Sequence, residues 1–134
     1  AYNGDYDDFK LKTTNILQGV GMYVYEILRS NKVLINPPQG GFYLMPEFIN
    51  KKYKTSSDMC VAILKETGVA LLPGSAFGFK PNKMLARLSF TDFDGSNFLK
   101  NISSGKNVSK SDVEKYAPNV VDGAKILSYW SKKL

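Results

Sequence analysis

The chain has 134 residues, a length that suits a single domain, residues 1–134, with one hydrophobic core. Its 18 Lys and Arg residues outnumber its 12 Asp and Glu residues, and the resulting net charge of +6 comes from dispersed lysines. Because the sequence contains no histidine and a single cysteine, an ordinary zinc site, a Ser-His-Asp or Cys-His catalytic centre and an internal disulfide are all excluded.

Composition also bears on where the protein works. No apolar run approaches the length of a membrane-spanning helix, and the first residues show no apolar signal sequence. A lone cysteine fits a reducing compartment, so we expect a soluble, cytoplasmic protein with no membrane partner. The chain lacks an initiating methionine, and we expect it to be a processed product or a fragment.

The first half of the chain predicts a long helix followed by short strands. Residues 1–8 are polar and acidic, which predicts a frayed lead-in. Between Phe9 and about Ser30 apolar residues recur at helical spacing, which indicates an amphipathic helix. Short strands are expected at residues 33–35 and 42–45, on either side of a turn rich in proline and glycine.

The second half predicts helices that alternate with two strands. Ser56 or Ser57 can cap a helix that ends at Gly68, and residues 69–72 then form a buried strand. The remaining expected elements are a strand at 85–92, a helix near 97–102, a helix with the capping box Ser111-Asp112-Val113-Glu114, and a last helix that begins at Pro118. Together they predict an α+β fold, in which helices cover a small sheet of three to four strands.

The predicted strand at residues 85–92 carries an arginine, Arg87, at its centre. Residues i and i+2 of a strand share a face, so one face carries Leu85, Arg87, Ser89 and Thr91, and the other carries Ala86, Leu88 and Phe90. A guanidinium on a rigid strand is a planar fork of donors that suits a carboxylate or a phosphate. The alternative is an ordinary surface arginine on a solvated sheet face.

Three segments in order carry a family resemblance: Gly-Gly-Phe-Tyr at 40–43, Glu-Thr-Gly-Val-Ala-Leu-Leu-Pro-Gly-Ser-Ala-Phe-Gly at 66–78, and Arg-Leu-Ser-Phe at 87–90. Their order and spacing resemble the C-terminal small domain of pyridoxal-phosphate-dependent aminotransferases of the aspartate aminotransferase superfamily. The resemblance implies the small-domain fold of fold-type I pyridoxal-phosphate enzymes.

The resemblance also implies roles for residues of this chain. Arg87 occupies the place of the family's strand arginine, which binds the α-carboxylate of the substrate. Phe42 is a candidate wall residue of the substrate pocket, with simple core packing as the alternative. Pro73 and Gly74 are expected to form a turn rather than a phosphate cradle, since no helix start follows them directly.

The resemblance places the remaining chemistry outside this chain. The family's large domain supplies the lysine that forms a Schiff base with pyridoxal 5'-phosphate, the acidic partner of the pyridine nitrogen, and the phosphate-binding cup. No catalytic and no cofactor-binding residue is therefore expected within residues 1–134. The Ser-Ser-Gly-Lys segment at 103–106 lacks the family's continuation and is expected to be a surface loop.

These implications give a functional hypothesis and two alternatives. The full-length enzyme to which this domain would belong, called the parent below, would transfer an amino group between an amino acid and a 2-oxo acid. It would be a homodimer and would resemble aspartate aminotransferases most. The isolated chain would be inactive. One alternative is a stand-alone basic module that binds RNA or an acidic protein, with binding that weakens steeply with salt. Another is a remnant that lost its catalytic half and serves only in assembly.

Overall fold

A computed structural model of the protein describes residues 2–38, 43–102 and 107–134, with side chains described from Asp8 onward. Within these ranges the chain forms five α-helices: α1 (Tyr2–Leu28), α2 (Ser56–Thr67), α3 (Gly95–Asn101), α4 (Lys110–Tyr116) and α5 (Pro118–Ser131). A short 3-10 helix, Gly74–Phe77, interrupts the segment between α2 and α3. No helix in the described part of the chain is long and apolar enough to cross a membrane.

Five short strands form two antiparallel sheets among the described residues: β1 (Val33–Leu34), β2 (Tyr43–Leu44), β3 (Glu47–Phe48), β4 (Leu72–Pro73) and β5 (Ala86–Ser89). The larger sheet has the order β2-β5-β4, so β5 is its central strand, and β1 pairs with β3 in the smaller sheet. A bridge between Glu47 and Leu85 continues the register of β2 and β5 into β3. The α+β fold class predicted from the sequence is confirmed.

The core lies between one face of the sheets and the helices. Helix α1 contributes a stripe with helical spacing, Ile16, Val20, Val24 and Leu28. The stripe meets Val120, Val121, Ala124 and Leu127 of α5 and the inner sheet residues Leu44, Phe48, Ala86, Leu88 and Phe90. Helix α2 adds Met59, Cys60 and Ile63. The sheet therefore has one face covered by helices, and its other face carries the residues of the candidate site.

Two predicted helix starts were wrong in position. The segment 2–8 belongs to α1, because most polar residues have only a small intrinsic cost in a helix and so do not by themselves signal an irregular lead-in. Helix α2 is capped by Thr55, whose Oγ1 accepts the N–H of Asp58 at 3.1 Å, rather than by Ser56 or Ser57. The predicted end at Gly68 is confirmed by its left-handed backbone, with φ of 79°.

The capping box of α4 also lies two residues earlier than predicted. Ser109 Oγ accepts the N–H of Asp112 at 3.2 Å, and Asp112 Oδ2 accepts the N–H of Ser109 at 3.0 Å. Ser109 and Ser111 both have an acidic residue three positions later, so the sequence spacing fitted either box.

The strand predictions need two corrections. The strand expected at 69–72 is confined to Leu72–Pro73, and a groove of about 470 Å³ lies beside Val69 and Phe90. Strand β3 was not predicted, because Pro46 was expected to end the preceding strand. Pro46 needs no N–H here, and its carbonyl accepts the N–H of Ala86 at 3.0 Å.

Candidate functional site

Arg87 lies on the central strand of the larger sheet. Its Cα partner on β4 is Leu72, and on the other side of β5 Leu88 and Ser89 pair with Leu44 and Tyr43 of β2. Strand β5 is thus hydrogen-bonded along both edges, which fixes the backbone from which the guanidinium extends. The side chain itself is half-buried.

The two faces of β5 differ as the alternation predicted. Ala86, Leu88 and Phe90 are buried against the helices, whereas Arg87 is half-buried and Ser89 is exposed. Thr91, beyond the strand, is exposed on the same side, and its Oγ1 lies 3.2 Å from Ser89 Oγ. Leu85 departs from the predicted pattern, since it is buried at 7% exposure.

Two aromatic rings flank the guanidinium of Arg87. Its Cζ lies 5.3 Å from the ring centroid of Tyr43 and 4.9 Å from that of Phe77. Tyr43 belongs to β2, and Phe77 ends the 3-10 helix that follows β4, so the two rings approach from the two neighbours of β5. These distances are within the range of cation–π attraction.

The in-plane donors of Arg87 have no partner among the described residues. The ion pairs in this part of the chain join Lys12 to Asp8, Lys83 to Glu47 and Lys110 to Glu26. The other arginine, Arg29, donates from Nη1 to the hydroxyl of Tyr25 at 3.4 Å, which raises the pKa of Arg29. Of the two arginines, Arg87 is therefore the one whose N–H groups no described residue uses, and these groups can bind a carboxylate or a phosphate of a ligand.

The turn before the 3-10 helix packs tightly against β5. The N–H of Gly74 donates to the carbonyl of Leu85 at 2.7 Å, and a Cβ at this position would lie 3.0 Å from the same oxygen. Gly78 ends the 3-10 helix with φ of 95°, in the left-handed region that favours glycine. Gly74 therefore allows a close approach to β5, and Gly78 ends the 3-10 helix after Phe77, which lies beside Arg87. The expectation that no helix start follows Pro73 and Gly74 was wrong, because a 3-10 helix begins at Gly74.

Sequence reasoning named Arg87 but missed its two aromatic neighbours. Tyr43 and Phe77 are parts of the family-like segments, yet only the pairing of β2 with β5 brings Tyr43 to the arginine. The predicted pocket residue Phe42 and the Ser-Ser-Gly-Lys segment at 103–106 lie outside the described residues.

The described residues do not by themselves fit pyridoxal phosphate. A lysine that binds the cofactor covalently needs desolvation or a cationic neighbour to lower its pKa. Every described lysine is exposed except Lys12, which pairs with Asp8, and Lys32, which donates to the carbonyl of Leu134 at 2.8 Å. The pKa of Lys110 is raised by its hydrogen bond and charge attraction to Glu26, which is the opposite of that requirement.

Comparison with known proteins gives relatives of one kind. The chain is 30% identical over 88 residues to an aspartate aminotransferase of Sulfolobus acidocaldarius, covering 63% of this chain and 22% of the relative. It is 44% identical over 55 residues to a probable N-acetyl-LL-diaminopimelate aminotransferase of Bacillus subtilis, covering 41% of this chain and 14% of the relative. A protein described as an inactive alanine aminotransferase in Saccharomyces cerevisiae is 28% identical over 101 residues, with coverage of 67% and 20%.

The fold gives the same result. An aspartate aminotransferase from Rhizobium meliloti, known from a crystal structure, superposes with a TM-score of 0.56 at 18% identity, covering 91% of this chain and 26% of that one. At this identity the likeness establishes the fold. No family model matches the sequence.

An α+β domain of this kind is therefore shared with aminotransferases in both sequence and fold. Within that class, the chain resembles the C-terminal small domain of the aspartate aminotransferase superfamily. It spans only about a fifth of the length of the curated relatives it matches. No finding supports the alternative of a stand-alone basic binding module.

Proposed function

We propose that this chain is the substrate-binding small domain of a pyridoxal-phosphate-dependent aminotransferase, and that Arg87 binds the α-carboxylate of its amino-acid and 2-oxo-acid substrates. One observation carries the proposal: a half-buried guanidinium on the central strand, on the sheet face away from the core, has in-plane donors that no described residue uses. The aminotransferase relatives and the shared fold support it.

The proposed role of Arg87 is to orient the substrate. A bidentate contact from a planar fork fixes two carboxylate oxygens, and this fixes the direction of the Cα–H bond next to them. Because β5 is held by strands on both sides, the fork is presented from a rigid base. Pyridoxal phosphate, held by the remainder of the parent, would supply the electron sink for transfer of the amino group.

The finer features of the parent belong to the same proposal. We infer a preference for aspartate-type substrates from the names of several relatives. We propose a homodimer, and a lack of transamination by residues 1–134 alone, on the resemblance to a small domain. The single cysteine supports the proposal of a cytoplasmic parent. Light scattering of the full-length parent tests the dimer, and a coupled transamination assay tests the isolated chain.

Replacing Arg87 by Ala in the full-length parent should lower kcat/KM for the amino-acid substrate by about 10²- to 10⁴-fold. The reason is the loss of two charge-assisted hydrogen bonds to the substrate, each worth about 1.5–3 kcal/mol. Arg87→Lys should recover only part of the loss, because an ammonium keeps the charge but lacks the planar fork. Steady-state kinetics at several substrate concentrations make the measurement.

Arg29→Ala is the matched control, since it removes the chain's other arginine from the exposed end of the first helix. It should leave kcat/KM unchanged. The absorbance of the bound cofactor should be the same in all variants. A near-normal kcat/KM in Arg87→Ala would show that Arg87 does not bind the substrate.

A further inference from the structure

The guanidinium of Arg87 is held by ring contacts, and its donors have no partner within residues 8–38, 43–102 and 107–134. Its Cζ lies over the rings of Tyr43 and Phe77, at 5.3 Å and 4.9 Å from their centroids. Attraction to an aromatic ring uses the face of the guanidinium, whereas hydrogen bonds to a carboxylate use its edge. The rings and a ligand therefore need not compete for the same atoms.

We propose that Tyr43 and Phe77 are positioning residues, which together hold the guanidinium of Arg87 and so set the affinity of this site for carboxylates. The inference rests on the proposed function, in which Arg87 is the carboxylate-binding group. It goes further by assigning the affinity to a three-residue unit formed by β2, β5 and the 3-10 helix.

Preorganisation is the physical basis of this unit. A free arginine side chain has many rotamers and loses that freedom when it grips a ligand. Two ring contacts, one from β2 and one from the 3-10 helix that follows β4, restrict the side chain before any ligand arrives, so less conformational entropy is lost on binding. The guanidinium is also half-buried, and partial removal from water strengthens its attraction to a carboxylate.

The surroundings of the two rings fit the role. Tyr43 is 44% exposed because it lies on the sheet face that carries Arg87, away from the core. Core packing therefore does not explain the position of its ring. Phe77 is half-buried and is followed by Gly78, whose left-handed backbone ends the 3-10 helix directly after the ring. Leu72, the Cα partner of Arg87 on β4, is 47% exposed, so this edge of the site is in contact with solvent.

The two arginines of the chain allow a direct test by NMR of the arginine Nε–Hε groups in residues 1–134. Arg87 lies over two rings and Arg29 over one, at 5.6 Å from the centroid of Tyr25. We expect the Hε resonance of Arg87 to lie upfield of that of Arg29. Tyr43→Leu and Phe77→Leu should each move it downfield, whereas Tyr43→Phe should keep it in place.

Titration with sodium acetate against sodium chloride at equal ionic strength then measures carboxylate affinity at Arg87. Tyr43→Leu and Phe77→Leu should each weaken acetate binding about 2- to 5-fold, and Tyr43→Phe should restore it. Tyr129→Leu, which removes another exposed ring that lies over Lys133 instead, should have no effect. Backbone amide spectra establish that each variant is folded. If Phe77→Leu does not fold, the comparison of Tyr43→Leu with Tyr43→Phe tests the positioning role.

The outcomes separate the two proposals. Weaker acetate binding with loss of the upfield shift in the leucine variants supports the positioning role. Unchanged acetate affinity in both leucine variants, combined with lost binding in Arg87→Ala, overturns the positioning role and leaves the proposed function in place. If acetate does not perturb Arg87 in the unaltered chain, the carboxylate role fails as well.

Discussion

Burial in the core changes the acidity of the thiol of Cys60. It lies on α2 with 6% of its surface exposed, and burial raises the pKa of its thiol to about 11. Because the thiolate is the reactive form of cysteine, a buried thiol with a raised pKa is inert at neutral pH. We therefore assign Cys60 to the core rather than to any chemistry.

The first consequence at this scale is slow labelling of Cys60 in the folded chain. At pH 8 we expect a disulfide reagent such as DTNB to react roughly 100-fold or more slowly with the native chain than with the chain in concentrated urea. The release of the coloured thiolate measures the rate. Equal rates in the two states would mean that α2 opens freely.

The second consequence is a pH-dependent stability. The folded thiol has a pKa raised from 9.0 to about 11, so the unfolded chain releases its proton first as the pH rises. The free energy of unfolding should therefore fall between pH 9 and pH 11 as this thiol titrates. Urea unfolding across that window measures the fall, and Cys60→Ala should show a smaller one. Identical slopes in the two proteins would contradict the assignment.

At the scale of elements, glycine in helix α1 serves packing rather than flexibility. A Cβ added at Gly19 would lie 2.7 Å from Cβ of Val108, in the segment that leads into α4. At Gly21 it would lie 3.0 Å from the ring of Phe90 and 3.1 Å from Pro38. The helix thus gives up intrinsic stability at two positions so that neighbouring segments can approach its backbone.

Gly19→Ala should lower the free energy of unfolding by about 1–3 kcal/mol, because overpacking outweighs the better helix propensity of alanine. The matched control is Gly123→Ala in α5, where the nearest atom to the added Cβ is Cγ2 of Val69 at 3.9 Å. That variant should raise stability by about 0.5–1 kcal/mol. Urea unfolding followed by circular dichroism compares them, and a stabilising Gly19→Ala would refute the packing account.

Much of the fold could be predicted from the sequence, and most of the predictions that were wrong share a cause. The helical periodicity of α1, the glycine at the end of α2 and the two-sided pattern around Arg87 depend on local sequence patterns, which a sequence displays. Strand β3 and the rings around the arginine depend on which segments pair, and pairing is a property of the whole chain. The capping residues Thr55 and Ser109 were not predicted, because neighbouring serines have equally suitable hydroxyl groups.

At the scale of the whole molecule, one aromatic cluster joins the sheet to the C-terminal helix. Trp130 of α5 contacts Phe48 of β3 edge-to-face and stacks on Tyr53, with both ring centroids 6.1 Å away. It is 7% exposed and is the only tryptophan of the chain. Helix α5 and the smaller sheet should therefore unfold together, because they share these rings.

Trp130→Ala should lower the free energy of unfolding by about 3–5 kcal/mol, through loss of buried area and the cavity that remains. A loss of this size is a large fraction of the total for a domain of this length. Trp130→Phe should cost less, and Tyr129→Ala, at an exposed neighbour, should cost almost nothing. Circular dichroism in urea gives the three values, and a similar cost for all three would contradict the role of the cluster.

The central position of β5 has a consequence for how this domain can move. A strand that is hydrogen-bonded on both edges cannot tilt alone, so Arg87 can be displaced over a long distance only together with β2 and β4. Under the proposed function, we therefore expect the motion that brings the guanidinium to a substrate to be a rotation of the sheet and its helices as one rigid unit. Substitutions at the hinge of such a rotation, far from Arg87, would then change how far the guanidinium moves without altering any contact around it.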